Sequence, residues 1–169
     1  MRPQKLSYHL YLLYTAVIVG GIFLDWLTKR LAVAFLRPVT DVPLIRGVLH
    51  LTYVENRGAA FGILSDHRMI FIVFSCVAMF ALLLYLYLGG VRDNRLSAVA
   101  IAMIIAGGVG NLIERIGQGY VVDFINFELI GFAVFNAADS FICVGAGLLI
   151  LSMILDLVRE NRGKNHDNG

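Results

Sequence analysis

The chain has 169 residues, 59% of them hydrophobic and 15% charged, and a mean hydropathy of +0.77. That composition excludes a soluble globular domain, which could not keep so much apolar surface out of water. A net charge of +2 adds nothing about nucleic acid, and with no Lys/Arg cluster interleaved with aromatics no nucleic-acid partner is expected.

In chain order, the first apolar run covers about residues 10–30 (LYLLYTAVIVGGIFLDWLTKR) and follows Arg2 and Lys5. A cleaved secretory signal is the competing reading. The run leads without a small-residue cleavage site into Asp25, Trp26 and Lys29, and Asp25 with Lys29 makes a favourable i,i+4 pair, so a retained span is expected. An outer loop over 31–68 contains two β-branched, apolar-rich stretches, 42–45 and 48–54, punctuated by Pro43 and Gly47 and read as short strands. A turn at NRG (56–58) follows. Spans over 69–90 and 96–114 come next, each long enough for roughly 30 Å of hydrocarbon. A second outer loop over 115–136 carries GYVVDFINF (119–127), an extended segment with Asp123 on the face of Val121 and Ile125. The last span covers 137–158, and the polar tail 160–169 is expected to be disordered. The fold class is therefore an all-α membrane protein, a single domain of four transmembrane helices with a small β-sheet on the outer face.

Four spans put both termini on one side, and the 14 Lys and Arg residues divide evenly between the two sides. Those of the terminal side and the 91–95 connection crowd into short segments, which together with the weight of the first span places the termini in the cytoplasm. Cys76 and Cys143 fall inside spans and read as small packing residues.

Polar residues at membrane depth are the candidates for chemistry. GGVGNLIER (107–115) sets Gly107, Asn111 and Arg115 on one helical face, with Gly108 and Gly110 allowing close helix approach; a plain packing seam ending in an interfacial arginine is the competing reading of the glycines. NAAD (136–139) has the form of a capping box, with Asn136 as N-cap and Asp139 at N3, where the helix N-terminus favours an ionised carboxylate. Asp123 and Asp139 thus both belong near the outer surface. Two carboxylates that share one proton can hydrolyse an amide, one activating water while the other polarises the carbonyl. Spacing alone leaves open whether they meet; a cap and a solvated loop residue would account for them separately. The four histidines are scattered, and neither HExxH nor GxSxG occurs, which disfavours zinc and serine proteases.

Taken together, DWLTK (25–29), ENRGAAFGIL (55–64), GGVGNLIER (107–115), GYVVDFI (119–125) and FNAADS (135–140) resemble lipoprotein signal peptidase, also called signal peptidase II, in content, order and spacing. The resemblance implies a bacterial inner-membrane aspartyl endopeptidase, multi-pass, with its active site near the outer face. Such an enzyme removes the signal peptide of diacylglyceryl-modified prolipoproteins just before the lipidated cysteine. It implies Asp123 and Asp139 as the catalytic pair, and Asn56, Gly108, Asn111, Arg115, Asn136 and Ala138 around substrate and pair. Asp25 and Lys29 match a polar pair of supporting role. It implies no cofactor or metal, and prolipoprotein and membrane lipid as the partners of a monomer. One position departs from the pattern: the family's usual NLxDR is NLIER here, so Glu114 replaces an aspartate and is expected in a supporting role that tolerates the longer side chain. The alternative function is a small proton- or solute-coupled transporter using the two aspartates as a relay; a structural assembly factor without chemistry is a third.

Overall fold

The computed structural model describes residues 8–58, 68–91 and 94–167. The described residues form four helices and three strands in the order α1 (Tyr8–Phe35), β1 (Asp41–Ile45), β2 (Leu49–Asn56), α2 (Arg68–Tyr87), α3 (Arg95–Gly117), β3 (Val121–Asn126) and α4 (Ala137–Asp167), with a 3₁₀ turn at Glu128–Ile130 before α4. Among the described residues, α1, α3 and α4 as far as Asn161 are long and apolar enough to cross a membrane, whereas the apolar stretch of α2, Ile72–Tyr87, is shorter. The chain is a multi-pass membrane protein.

Helix α3 is central and packs against each of the other three. Many of its inward positions are small: Ala98, Ala100, Ala102, Ala106, Gly107 and Gly110 are all buried. Without a hydrophobic drive between helices in lipid, close backbone approach is what gains van der Waals contact. Two glycines make this concrete. A Cβ on Gly107 would strike the backbone oxygen of Ala138 on α4, and one on Gly110 would stand 2.5 Å from Asp25 Oδ2 on α1. Large apolar side chains point outward instead, among them Phe23, Phe74, Phe80, Ile150 and Met153, the inverse of a soluble bundle.

At the end away from the sheet, Tyr14, Ile18, Leu86, Ala98, Ile101, Ala102 and Ile105 form one apolar cluster. Asn94 caps α3 there, accepting from Ser97 N at 3.0 Å and donating to Ser152 Oγ and Asp156 Oδ2, both at 2.6 Å. At the other end, Ala32, Leu36 and Val122, with Leu51, Tyr53 and Phe124 against them, join the last turns of α1 to the sheet. The sheet is antiparallel in the order β1-β2-β3, with Val54 opposite Asp123 and Asn56 opposite Val121. Pro43 lies on the edge strand β1, where a missing N–H is tolerated. His50 on β2 joins two neighbours: Nδ1 lies 3.0 Å from Asp41 Oδ2, and Nε2 lies 2.8 Å from Glu128 Oε2 without the alignment of a hydrogen bond.

All three expected strands form, within a residue or two of their expected bounds, as does the 56–58 turn, where Gly58 N donates to Asn56 Oδ1 at 3.0 Å. Three helices overrun the expected spans, whereas α2 ends at Tyr87, short of the expected 90. α1 continues to Phe35, and α4 continues to Asp167 through most of the segment expected to be disordered. Of the motifs that carry the resemblance, Ala59 to Leu64 lie outside the described residues.

Candidate active site

The site is assembled where three segments converge: β3 brings Asp123, the first turn of α4 brings Asp139, and the last turns of α3 bring Asn111 and Arg115. The NAAD sequence does form a capping box. Asp139 N donates to Asn136 Oδ1 at 3.0 Å, and Asn136 N donates to Asp139 Oδ2 at 3.2 Å. Asn136 is fully buried, and its side-chain Nδ2 donates to Asp123 Oδ1 at 2.6 Å and to Asn111 Oδ1 at 3.1 Å. One residue therefore touches both aspartates, Asp139 through its backbone N–H and Asp123 through its amide.

Two more asparagines complete the cradle. Asn111 Nδ2 donates to Asp139 Oδ1 at 2.7 Å, and Asn56 Nδ2 donates to Asp123 Oδ2 at 2.9 Å. In each of the three amides the oxygen is fixed by an N–H donor: Gly58 N for Asn56, Lys29 Nζ at 2.9 Å for Asn111, and Asp139 N for Asn136. The NH₂ groups are left to face the carboxylates. A carboxylate pair is thus held by amides that donate to it and add no charge.

Behind the amides lies a charged layer. Lys29 is 3% exposed and lies 2.8 Å from Asp25 Oδ2 and 3.2 Å from Glu114 Oε2. Asp25 Oδ1 accepts from Ala138 N at 3.0 Å, and Glu114 Oε2 accepts from Val122 N at 2.9 Å. These acids hold the backbone immediately before Asp139 and immediately before Asp123. These three residues are the ones for which a supporting role is expected.

Asp123 is 2% exposed, and burial, reinforced by the charge of Asp139, pushes its carboxyl up to about 6 against the opposing hydrogen bonds of Asn56 and Asn136. Asp123, Asp139, Asn56, Asn111 and Arg115 line one cavity of about 610 Å³. Its other wall is apolar: Phe127, Ile130, Phe132, Phe135 and Val144. Sequence reasoning missed that wall; its signal was the aromatic-rich FELIGFAVF (127–135), which reads as an undistinguished loop until the Ile125–Phe135 bridge folds it back. Ala138, like Asn136, is sealed behind the cavity. Gly108 stands apart, since a Cβ there would meet the sulfur of Met79 on α2, so it serves the α2–α3 contact.

The role of Glu114 leads to an expected outcome. Glu114→Asp shortens the reach to Val122 N and Lys29 by one methylene but preserves the charge, and it should keep most activity. Arg115→Ala removes the one guanidinium that lines the cavity among the described residues and should cost far more. Steady-state kinetics of the two purified variants side by side check this; equal inactivity would give Glu114 a direct part in the reaction.

A family model described as signal peptidase (SPase) II matches residues 17–155. The lipoprotein signal peptidase of Caldanaerobacter subterraneus subsp. tengcongensis is 48% identical over 138 residues, 82% of this chain and 93% of that protein. That of Halalkalibacterium halodurans is 38% identical over 156 residues, 91% of this chain and 99% of the relative. A solved bacterial membrane enzyme, determined by the in meso method at 2.3 Å resolution, superposes with a TM-score of 0.80 at 29% identity, covering 91% of this chain and 93% of the other. With Asn56, Asn111, Arg115, Asp123 and Asp139 lining one cavity and the match running nearly end to end, the chain belongs to the signal peptidase II family of aspartic-type peptidases.

Proposed function

We propose that this protein is a membrane endopeptidase that removes signal peptides from diacylglyceryl-modified prolipoproteins, cleaving before the lipidated cysteine. The observation that carries the reading is the single buried Asn136, which hydrogen-bonds to both Asp123 and Asp139 at the wall of one cavity. The names of the relatives, lipoprotein signal peptidases, supply the substrate class.

Asp123, whose carboxyl is raised to about 6, holds the shared proton and donates a hydrogen bond to the scissile carbonyl. Asp139 takes a proton from a water that attacks the carbonyl carbon. The tetrahedral intermediate collapses as the leaving amine receives a proton from the pair, which regenerates the singly protonated state. Arg115 lines the same cavity and offsets the negative charge that develops. The apolar wall from Phe127 to Val144 takes the apolar side chains of a signal sequence and excludes water. The mechanism calls for no cofactor. Purified protein in detergent micelles, with no gradient present, should cleave a lipid-modified prolipoprotein and leave the unmodified precursor intact; failure to cleave in an intact, monodisperse preparation overturns the reading.

The same reading makes the chain a monomeric inner-membrane protein of four spans, with cytoplasmic termini and the sheet and aspartates at the outer face. In a background with Cys76 and Cys143 replaced, Arg57→Cys and Leu129→Cys should react with an impermeant thiol reagent in intact spheroplasts, and Arg95→Cys should not. The reverse labelling pattern would invert the topology.

A further inference from the structure

A second cavity, of about 710 Å³, opens between α1 and α3 and shares no lining residue with the aspartate cavity. Asp25, Lys29 and Glu114 line it, and Lys29 in turn donates to Asn111 of the aspartate cavity, so this charged layer stands between the two sites. Its walls are apolar along α1, from Val19 through Phe23 and Trp26 to Val33, with Ile113 facing them from α3. Phe23, Trp26 and Ile113 are each about half exposed, an arrangement that suits hydrocarbon and not water.

The charges at this cavity are unevenly committed. Glu114 is engaged by Lys29 at 3.2 Å, by Val122 N at 2.9 Å and by Gln118 Nε2 at 2.9 Å. Lys29 and Asp25 are closed off against each other. Arg30 is exposed, makes no salt bridge among the described residues, and its guanidinium lies 6.0 Å from the Trp26 ring. A tryptophan beside an arginine is typical of the headgroup level. From Arg30 down to Val19 the groove follows about 16 Å of helix at roughly 1.5 Å per residue. One leaflet of hydrocarbon is about 15 Å deep, half of roughly 30 Å.

We propose that this groove binds one anionic phospholipid from the leaflet on the sheet side, with its phosphate on Arg30 and an acyl chain along Phe23, Ile22 and Val19. The guanidinium fork matches phosphate oxygens, and an anionic headgroup adds no ammonium for Arg30 to repel. The bound chain shields the Lys29–Glu114 pair from water, which strengthens the ties to Val122 N and Ala138 N behind the aspartates.

The test is native mass spectrometry of the full-length protein released from micelles supplied with phosphatidylglycerol, phosphatidylcholine or diacylglycerol. Wild type should retain a single phosphatidylglycerol in preference to the other two. Arg30→Gln should weaken retention by roughly tenfold or more, as loss of a charged hydrogen bond implies. Arg46→Gln, which removes another exposed cation on the sheet side, should change nothing. Val19→Trp, which fills the lower groove, should also displace the lipid. Melting curves in lipid-free detergent check that each variant is folded, and Arg30→Lys supplies a second reading if Arg30→Gln does not fold. Equal retention by Arg30→Gln, or equal retention of diacylglycerol, would overturn the proposal; the latter would make the groove a place for the substrate's own lipid.

Discussion

On the proposed mechanism, asparagine at position 123 or at position 139 should lower kcat by about 10³-fold or more, and the double variant should lose little further, because two groups sharing one proton act as a unit. The bundle survives the change. Asn keeps the shape of Asp and opens no cavity, although one of the donors on Asp123, Asn56 or Asn136, must then face an NH₂ group at a cost of about 1–3 kcal/mol. An opposing gain follows from the raised carboxyl of Asp123. Its ordinary value is 3.8 and the folded value about 6, so the folded state binds the proton more tightly than the unfolded one. Stability from this group is present below about 4, falls as pH rises, and is fully lost above about 6, by a few kcal/mol at most. Thermal melting of Asp123→Asn against wild type should therefore show a difference that moves in favour of the variant between pH 4 and roughly 6 and then levels off. The pair also shapes the rate profile. kcat/KM, which reports the free enzyme, should follow a bell whose basic limb lies near 6, while the basic limb of kcat lies higher because bound substrate further desolvates Asp123. A folded single variant that cleaves near the wild-type rate would remove the two-aspartate mechanism.

Lys29→Met is the most destabilising single substitution expected in the layer behind the site. It leaves Asp25, 2% exposed, without its compensating cation and leaves Glu114 to the charge of Arg115 alone, and breaking a buried pair by removing one partner costs about 3–5 kcal/mol. The loss also removes the charged donor to Asn111 Oδ1 and leaves only Asn136 Nδ2 to fix that oxygen, so activity should fall even in molecules that remain folded. Combining it with Asp25→Asn removes the stranded charge and should restore part of the melting temperature in detergent without restoring activity. If Lys29→Met melts with wild type, the layer is not what holds Ala138 and Val122 in place.

Sequence alone determined the features set by local physics. Apolar length gave the membrane class, β-branched runs bounded by Pro43 and Gly47 gave the strands, and NAAD gave a capping box, because each depends on neighbours a few residues apart. The candidate pair was legible for the same reason: a carboxylate in an apolar segment stands out before any partner is known. Where the helices end was less legible, since α1 and α4 continue beyond their apolar runs on backbone hydrogen bonds that polar residues satisfy equally well. Only the tertiary structure decided what the polar residues do for one another. Lys29 reaches Asn111 across 82 positions of chain, and Asp25 reaches Ala138 N across 113. No periodicity encodes such contacts; they exist because small residues let α3 approach α1 and α4 closely enough for short side chains to meet. Gly108 shows the converse, a residue read with the site that the packing assigns to Met79, because the direction a helical position faces is fixed by its neighbours in space.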